Sequence, residues 1–163
     1  MRNLLIVFFL VLTMNVYSSE FAEKMPGYLD KISKIKEKDK ANLKGKFTDI
    51  IKEISALKYD EKEEEETMMY LTTLAETCTL NGDYDKSNEY YTKVIALVPF
   101  ATFYRLMVEN MLLKGDKDAA NKIVDAFIKK AEDIKDPEDR KRQIAEVKKA
   151  FENIKTPANP PAK

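Results

Sequence analysis

The stretch from Asn81 to Pro99, NGDYDKSNEYYTKVIALVP, decides between two interpretations of this chain. Asp83, Asp85 and Ser87 alternate like the first oxygen ligands of a calcium loop. Such a loop needs a bidentate glutamate at its twelfth place, but counting from Asp83 that place holds Val94. Because valine offers a metal no oxygen, the spacing favours the second interpretation, a corner between two packed helices.

The composition of the whole chain predicts an all-α protein. Its 163 residues include only 4 Gly and 6 Pro, 34% are charged, and no long run of alternating β-branched residues occurs. This length suits one domain or a short array of repeats. Since the formal net charge is zero, no overall field attracts nucleic acid, and we expect no nucleic-acid partner.

Residues 1–18 follow the plan of a secretory signal peptide. A short positive start precedes the apolar run from Leu4 to Leu12, and Val16 and Ser18 stand at the −3 and −1 places of a cleavage site. An uncleaved anchor is the alternative, but the run is shorter than the roughly 20 residues that span a bilayer. We expect cleavage after Ser18, export to the periplasm or the medium, and no stable membrane insertion afterwards.

An internal repeat lies in the middle of the chain. Seven positions recur 33 residues later with similar apolar, small or glycine residues. The pairs are Leu71 and Tyr104, Leu74 and Met107, Ala75 and Val108, Cys78 and Met111, Gly82 and Gly115, Ser87 and Ala120, and Tyr91 and Val124. Spacings of three and four place the first four of each set on one helix stripe. The glycine suits a left-handed helix end, and the small residue after it lets two helices approach closely.

This spacing resembles the tetratricopeptide repeat, with its pattern W-x2-L-G-x2-Y, A-x3-F and a closing proline. The matching positions of the first repeat are Leu71, Leu74, Ala75, Cys78, Ser87, Tyr91 and Pro99. The second repeat departs from the pattern, because Glu132 stands where the proline is expected and Lys117 where an aromatic follows the glycine. The resemblance covers about Thr67 to Glu132 and implies antiparallel helix–turn–helix units stacked as an α-solenoid.

The flanking segments are expected to complete this array. Residues 19–66 form a degenerate helical hairpin, 67–132 two repeats, 133–155 a capping helix and 156–163 a disordered, proline-rich tail. The hairpin is predicted as a short helix marked by Tyr28, Leu29, Ile32 and Ile35, then a helix from about Lys40 to Lys58 with the stripe Leu43, Phe47, Ile50, Ile51, Ile54 and Leu57. Asp136 is a suitable N-cap for the capping helix, whose apolar stripe is Ile144, Val147, Phe151 and Ile154.

No catalytic constellation is visible, so we expect neither an enzyme nor a cofactor or metal site. A chain without histidine has no ordinary triad, and Cys78 lies on an apolar stripe where a packing role is expected. The acidic run from Asp60 to Glu66 is interpreted as a solvated helix start rather than a site for a cation or a basic partner. The lysine-rich segment from Lys31 to Lys46 is interpreted as a solvated helix face rather than a contact for an anionic surface. The tyrosines Tyr70, Tyr90 and Tyr104 are interpreted as packing residues rather than the lining of a peptide groove.

The resemblance implies a function in binding an extended or helical peptide on the concave face of the first helices. The candidate partner-binding residues are Met69, Thr72, Thr73, Glu76, Thr102, Arg105 and Glu109. Arg105 is the main candidate because its planar fork can bind a carboxylate or a carbonyl, and the alternative is that it pairs with Glu109. We therefore expect an exported, non-catalytic scaffold for an unknown protein or peptide. The alternative is a self-assembling, envelope-associated structural protein without such a groove.

Overall fold

The computed structural model describes residues 19–39 and 42–153, and every regular element in that part of the chain is helical. The α-helices are α1 (Glu20–Lys38), α2 (Thr48–Ser55), α3 (Glu64–Asn81), α4 (Tyr84–Leu97), α5 (Ala101–Lys114), α6 (Lys117–Lys130) and α7 (Pro137–Asn153). One 3-10 turn, Ala131–Asp133, follows α6. The all-α prediction is confirmed for the described residues. The signal peptide, the proline-rich tail, Lys40 and Ile154 lie outside them.

The chain divides into two compact units, Met1–Asp83 and Tyr84–Lys163. In the described part of unit 1, helices α1, α2 and α3 each pack against the other two. In unit 2, α5 is the central helix and packs against α4, α6 and α7. The division falls inside the segment 67–132 that the sequence assigns to two repeats.

Helix α1 begins at Glu20, eight residues before the position predicted from the apolar pattern. Ser19 caps it, because its side chain accepts a hydrogen bond from the N–H of Ala22 at 3.1 Å. Pro26 lies inside the helix on an exposed position. A proline usually interrupts a helix, but here the burial of Phe21, Ala22, Met25 and Ile32 against the rest of unit 1 holds the helix on both sides of it.

Helix α2 is shorter than predicted, with only eight residues, although the predicted stripe is largely buried. Phe47 precedes the helix and Leu57 follows it, so the stripe continues through non-helical residues. The preceding turn contains Gly45 in a left-handed conformation, with φ of 76°. Its N–H donates to the backbone oxygen of Asn81 at 3.0 Å. This long-range contact replaces the helical turn that the periodicity predicts before Thr48.

The Asn81 side chain holds this turn in place from the end of α3. Its Oδ1 accepts the N–H of Phe47 at 2.8 Å, and its Nδ2 donates to Asp83 at 2.7 Å and to Thr48 Oγ1 at 3.3 Å. Asn81 and Phe47 are both buried. Asn81 therefore fixes the turn before α2 through hydrogen bonds to residues distant in sequence. Local sequence patterns do not predict this role.

Helices α3 and α5 end in the same way, 33 residues apart. Gly82 and Gly115 are left-handed, with φ of 85° and 88°. Each glycine N–H donates to the carbonyl three residues before it, and the next residue donates to the carbonyl five residues before itself. The N–H of Asp83 donates to the carbonyl oxygen of Cys78 at 2.9 Å, and the N–H of Asp116 donates to that of Met111 at 2.8 Å. This is the Schellman arrangement, in which glycine is favoured because it lacks a Cβ.

Burial recurs with the same 33-residue spacing. Four predicted pairs are buried at both members. These are Ala75 and Val108, Cys78 and Met111, Ser87 and Ala120, and Tyr91 and Val124. The remaining apolar pairs are less regular, since Leu71 and Leu74 are buried whereas Tyr104 and Met107 are only partly buried.

Helix α7 starts as the sequence predicts. The Asp136 carboxylate accepts the backbone N–H groups of Glu138 and Asp139 at 2.9 and 3.2 Å, so Asp136 is the N-cap and Pro137 the first helical residue. Val147 is buried in the core of unit 2, and Ile144 and Phe151 pack against that core. The interior of unit 2 is thus closed by α7, on whose other face charged residues are exposed.

Candidate functional site

The candidate residues on α3 differ widely in accessibility. Met69 and Thr72 are buried, whereas Thr73 and Glu76 are partly exposed. Met69 therefore belongs to the core of unit 1 and not to an exposed binding surface. The accessible candidates on this helix are Thr73 and Glu76. Residues three and four apart lie on one face of a helix, and the sequence therefore predicts one common surface for all four positions.

Two polar groups on α3 have unusual surroundings. The Oγ1 of Thr72 is buried and has no hydrogen-bond partner among the described residues. One turn further along, burial raises the pKa of the Glu76 carboxyl to about 7, and the positive charge of Lys36 on α1 opposes this shift. A carboxyl with such a pKa exchanges its proton near neutral pH. It can therefore donate or accept a hydrogen bond to a ligand, depending on the ligand's own polar groups.

The candidate residues on α5 form an ion-pair cluster within unit 2. The Arg105 guanidinium pairs with Glu109 one turn along its own helix, and its Nε lies 3.3 Å from Oε1 of Glu146 on α7. The Arg105 side chain is largely buried, and Thr102 is partly buried. The alternative considered from sequence, in which Arg105 pairs with Glu109, is thus the arrangement that the structure shows. To bind a partner, the guanidinium would have to leave two carboxylates.

A buried amide network that sequence analysis missed connects α4 to α5. The Nδ2 of Asn110 donates to Ser87 Oγ at 2.9 Å and to Asn88 Oδ1 at 2.8 Å. The Nδ2 of Asn88 donates to the backbone oxygen of Met107 at 3.3 Å. Asn110 lies three residues after Met107, which belongs to the apolar stripe. This spacing is the only feature of the sequence that indicates the burial of Asn110. The network satisfies buried polar groups within unit 2 and is structural.

The aspartates of the opening stretch serve local contacts. Asp83 accepts a hydrogen bond from Asn81, and Asp85 pairs with Lys114 at 2.7 Å. Among the residues that the structure describes, no group of three or more His, Cys, Asp or Glu side chains is placed to hold a metal ion. The Asp85 pair is exposed, so its contribution to stability is small.

The packing interpretation of Cys78 is confirmed, because its thiol is buried. Tyr70 is also a packing residue. Its hydroxyl donates to the backbone oxygen of Ser55 at 3.1 Å, and its ring stacks on Tyr59 with centroids 4.1 Å apart. In unit 2 the Tyr104 ring packs against Phe127 at 4.8 Å. Tyr90 is partly exposed, and the Lys93 amino group lies 5.7 Å from its ring centre.

The interpretation of the acidic run as a solvated helix start is wrong for its last member. Helix α3 begins at Glu64, and most carboxylates of the run are exposed, but Glu66 is buried. Its side chain turns into unit 1, where Ser19 and Asp60 donate hydrogen bonds to it. By contrast, the described lysines between Lys31 and Lys46 are exposed, except for Lys36, which is partly buried. That segment is the solvated face that was predicted.

No protein-family model, no curated protein and no solved structure matches this chain. In the part of the chain from Ser19 onward that the structure describes, no helix is both long and apolar enough to cross a membrane.

Proposed function

We propose that this chain is an exported, non-catalytic helical-repeat protein, similar to the tetratricopeptide repeats, that binds another protein. The recurrence of burial and of glycine helix ends with a 33-residue spacing supports this proposal most strongly. Helical repeats of this length expose continuous polar faces over an apolar interior, and such faces commonly bind peptides.

The contact surface of this proposal centres on Thr73 and Glu76 of α3. Both side chains are partly exposed, and Thr72, next to Thr73 on the same helix, has a buried hydroxyl that finds no hydrogen-bond partner among the described residues. An unpaired buried hydroxyl costs free energy that a ligand group can offset when it supplies a hydrogen bond. Backbone amides and carbonyls of an extended peptide are groups of this kind. Arg105 is not part of this surface, because its charge is already balanced within unit 2 by Glu109 and Glu146.

A pair of matched variants tests the surface. The chain beginning at Ser19 is used as bait on envelope and medium fractions of its source, and the affinity of a captured partner is then measured for each variant. Thr73→Arg should weaken binding at least tenfold, about 1.4 kcal/mol, because it fills the surface with a long charged side chain. Thr92→Arg, at an exposed position of α4, is the control and should bind within twofold of the parent. Equal affinity of both variants and the parent would remove α3 as the binding surface.

A second candidate function is self-assembly into an envelope-associated structure. Three large apolar side chains in unit 2 are exposed: Leu97, Leu113 and especially Phe100, which is 60% exposed. Exposed apolar surface favours association. Light scattering at micromolar concentration separates the two functions. Assemblies that dissociate in Phe100→Ser would support the second candidate, and a monomeric parent chain would exclude it.

A further inference from the structure

Glu66 places a carboxylate in the interior of unit 1, where only 1% of the residue is exposed. One oxygen accepts a hydrogen bond from the Ser19 hydroxyl, and the other accepts the backbone N–H of Asp60 at 3.2 Å. Both donors are neutral, and no lysine or arginine among the described residues pairs with this carboxylate. Burial of an ionised carboxylate is costly unless positive charge balances it. Within residues 19–39 and 42–153, the Glu66 carboxylate is therefore buried without a cation partner.

Ser19 is also the residue at which the sequence predicts a new chain start. Its hydroxyl contacts Glu66 while accepting the N–H of Ala22 as the cap of α1. The α-nitrogen of a serine lies about 3–4 Å from its own Oγ in any rotamer, because only three bonds separate them. An ammonium on the Ser19 nitrogen would therefore form no more than roughly 7 Å from the Glu66 oxygen that the hydroxyl contacts, so a rotation of the Glu66 side chain could bring the two into an ion pair.

We propose that Glu66 is the internal counter-ion of a new N-terminus, which forms when a signal peptidase hydrolyses the bond between Ser18 and Ser19. In this step water adds across the amide bond. The released segment 1–18 carries the new carboxylate, and the Ser19 amine takes up a proton and becomes an ammonium. The ammonium pairs with Glu66, so cleavage completes the polar interior of unit 1. The inference rests on the export step of the proposed function and assigns it a structural consequence.

The neighbouring acidic residue does not compete for this charge. The Glu20 carboxylate already pairs with Lys24 at 2.7 Å and lies 3.4 Å from the backbone N–H of Lys58. The first turn of α1 is also firmly packed. Phe21 is buried, and its N–H donates to the oxygen of Lys58 at 3.0 Å. The first turn of α1 is thus held at Glu66 before any new contact forms.

A simpler account of Glu66 needs no cleavage. The carboxylate lies in the first turn of α3 and beside the first turn of α1, and the positive ends of both helix dipoles favour an anion there. The two accounts predict opposite effects of removing the terminal charge. A free ammonium at a helix start is unfavourable by itself, so acetylating it normally stabilises the helix. If Glu66 pairs with the ammonium, acetylation must destabilise the protein instead.

The test compares two chains that both begin at Ser19, one with a free amine and one acetylated, by urea unfolding at neutral pH. The equilibrium constant for unfolding should be at least tenfold larger for the acetylated chain. In Glu66→Gln the two forms should differ by less than twofold or in the opposite direction. The control Glu64→Gln, at an exposed position of the same helical turn, should retain the tenfold difference. Acetylation that leaves the parent unchanged or stabilises it would overturn the proposal.

A second measurement needs no variant and holds even if Glu66→Gln does not fold. The Ser19 amine of the folded parent should react with an amine-selective ester at least tenfold more slowly than the amine of a peptide with the same first residues. Pairing with Glu66 lowers both the fraction of the amine that is unprotonated and its exposure to the reagent. Equal rates would overturn the proposal. N-terminal sequencing of exported protein is a separate test of the export step, so failure of the one is distinguishable from failure of the other.

Discussion

Replacement of Asn81 should destabilise unit 1 far more than an ordinary polar substitution. Its Oδ1 is the acceptor for the N–H of Phe47, a residue with no exposed surface. In Asn81→Ala this buried N–H loses its partner, which costs about 1–3 kcal/mol. Loss of the hydrogen bond from Nδ2 to the charged Asp83 adds about 1 kcal/mol. The expected total of about 2–4 kcal/mol is a large share of the ~5–15 kcal/mol that stabilises a typical domain.

The nearly isosteric Asn81→Asp substitution separates shape from hydrogen bonding. The new carboxylate can still accept from Phe47, but its other oxygen would face the Asp83 carboxylate at the present 2.7 Å separation. Like charges at this distance disfavour the folded state, and protonation of one of them relieves the repulsion. Asn81→Asp should therefore be destabilised at neutral pH and recover as the pH falls through the carboxylate range. The swap Asn81→Asp with Asp83→Asn should restore most of the stability, because a donor again faces an acceptor.

Urea unfolding followed by circular dichroism measures these effects, with m-values checked so that changes in midpoint report stability. Asp83→Asn alone is the matched control for the swap. If Asn81→Ala loses less than about 0.5 kcal/mol, the range of an ordinary surface change, Asn81 does not lock the turn before α2. If the swap is no more stable than Asn81→Asp, the repulsion argument fails.

Three further predictions concern the core, the glycine turns and Glu76. Tyr91→Ala should lose about 3 kcal/mol or more in thermal melts, because it truncates a buried aromatic, and an unchanged melting temperature would refute its core position. Gly115→Ala should lose about 1 kcal/mol from its left-handed φ alone, and Gly82→Ala should lose more, because the added Cβ would also lie 3.1 Å from Lys44 Cγ. Equal losses would show that Lys44 moves aside freely. Because the folded pKa of Glu76 is raised to about 7, its contribution to stability is fully present below its ordinary pKa and is lost as the pH rises through 7. Glu76→Gln should thus be more stable than the parent at pH 8 and lose this advantage by pH 4, as measured by urea unfolding, and a constant difference would contradict the shift.

The sequence alone determined the features that depend on neighbouring residues. The scarcity of glycine and proline and the three- and four-residue spacing of apolar side chains predicted helices throughout the described chain. Gly82 and Gly115 marked two helix ends because few other residues adopt a left-handed conformation at low cost. Asp136 before Pro137 marked a helix start for an equally local reason. The buried positions of Cys78, Ser87 and Tyr91 follow from the same periodicity.

Tertiary structure decided what depends on contacts between distant residues. Glu66 stands in an acidic run that looks solvated, and only its contact with Ser19, 47 residues away in sequence, accounts for its burial. The turn before α2 depends on Asn81, 34 residues from Phe47, and this contact shortens the helix that periodicity predicts. The position of Arg105 in the repeat predicts an exposed binding residue, but in the fold its guanidinium forms an ion pair with Glu146 on α7. Hydrophobic periodicity indicates which face of a helix is buried. The partner of a polar side chain depends instead on which distant segments come into contact, and a local sequence pattern does not determine those contacts.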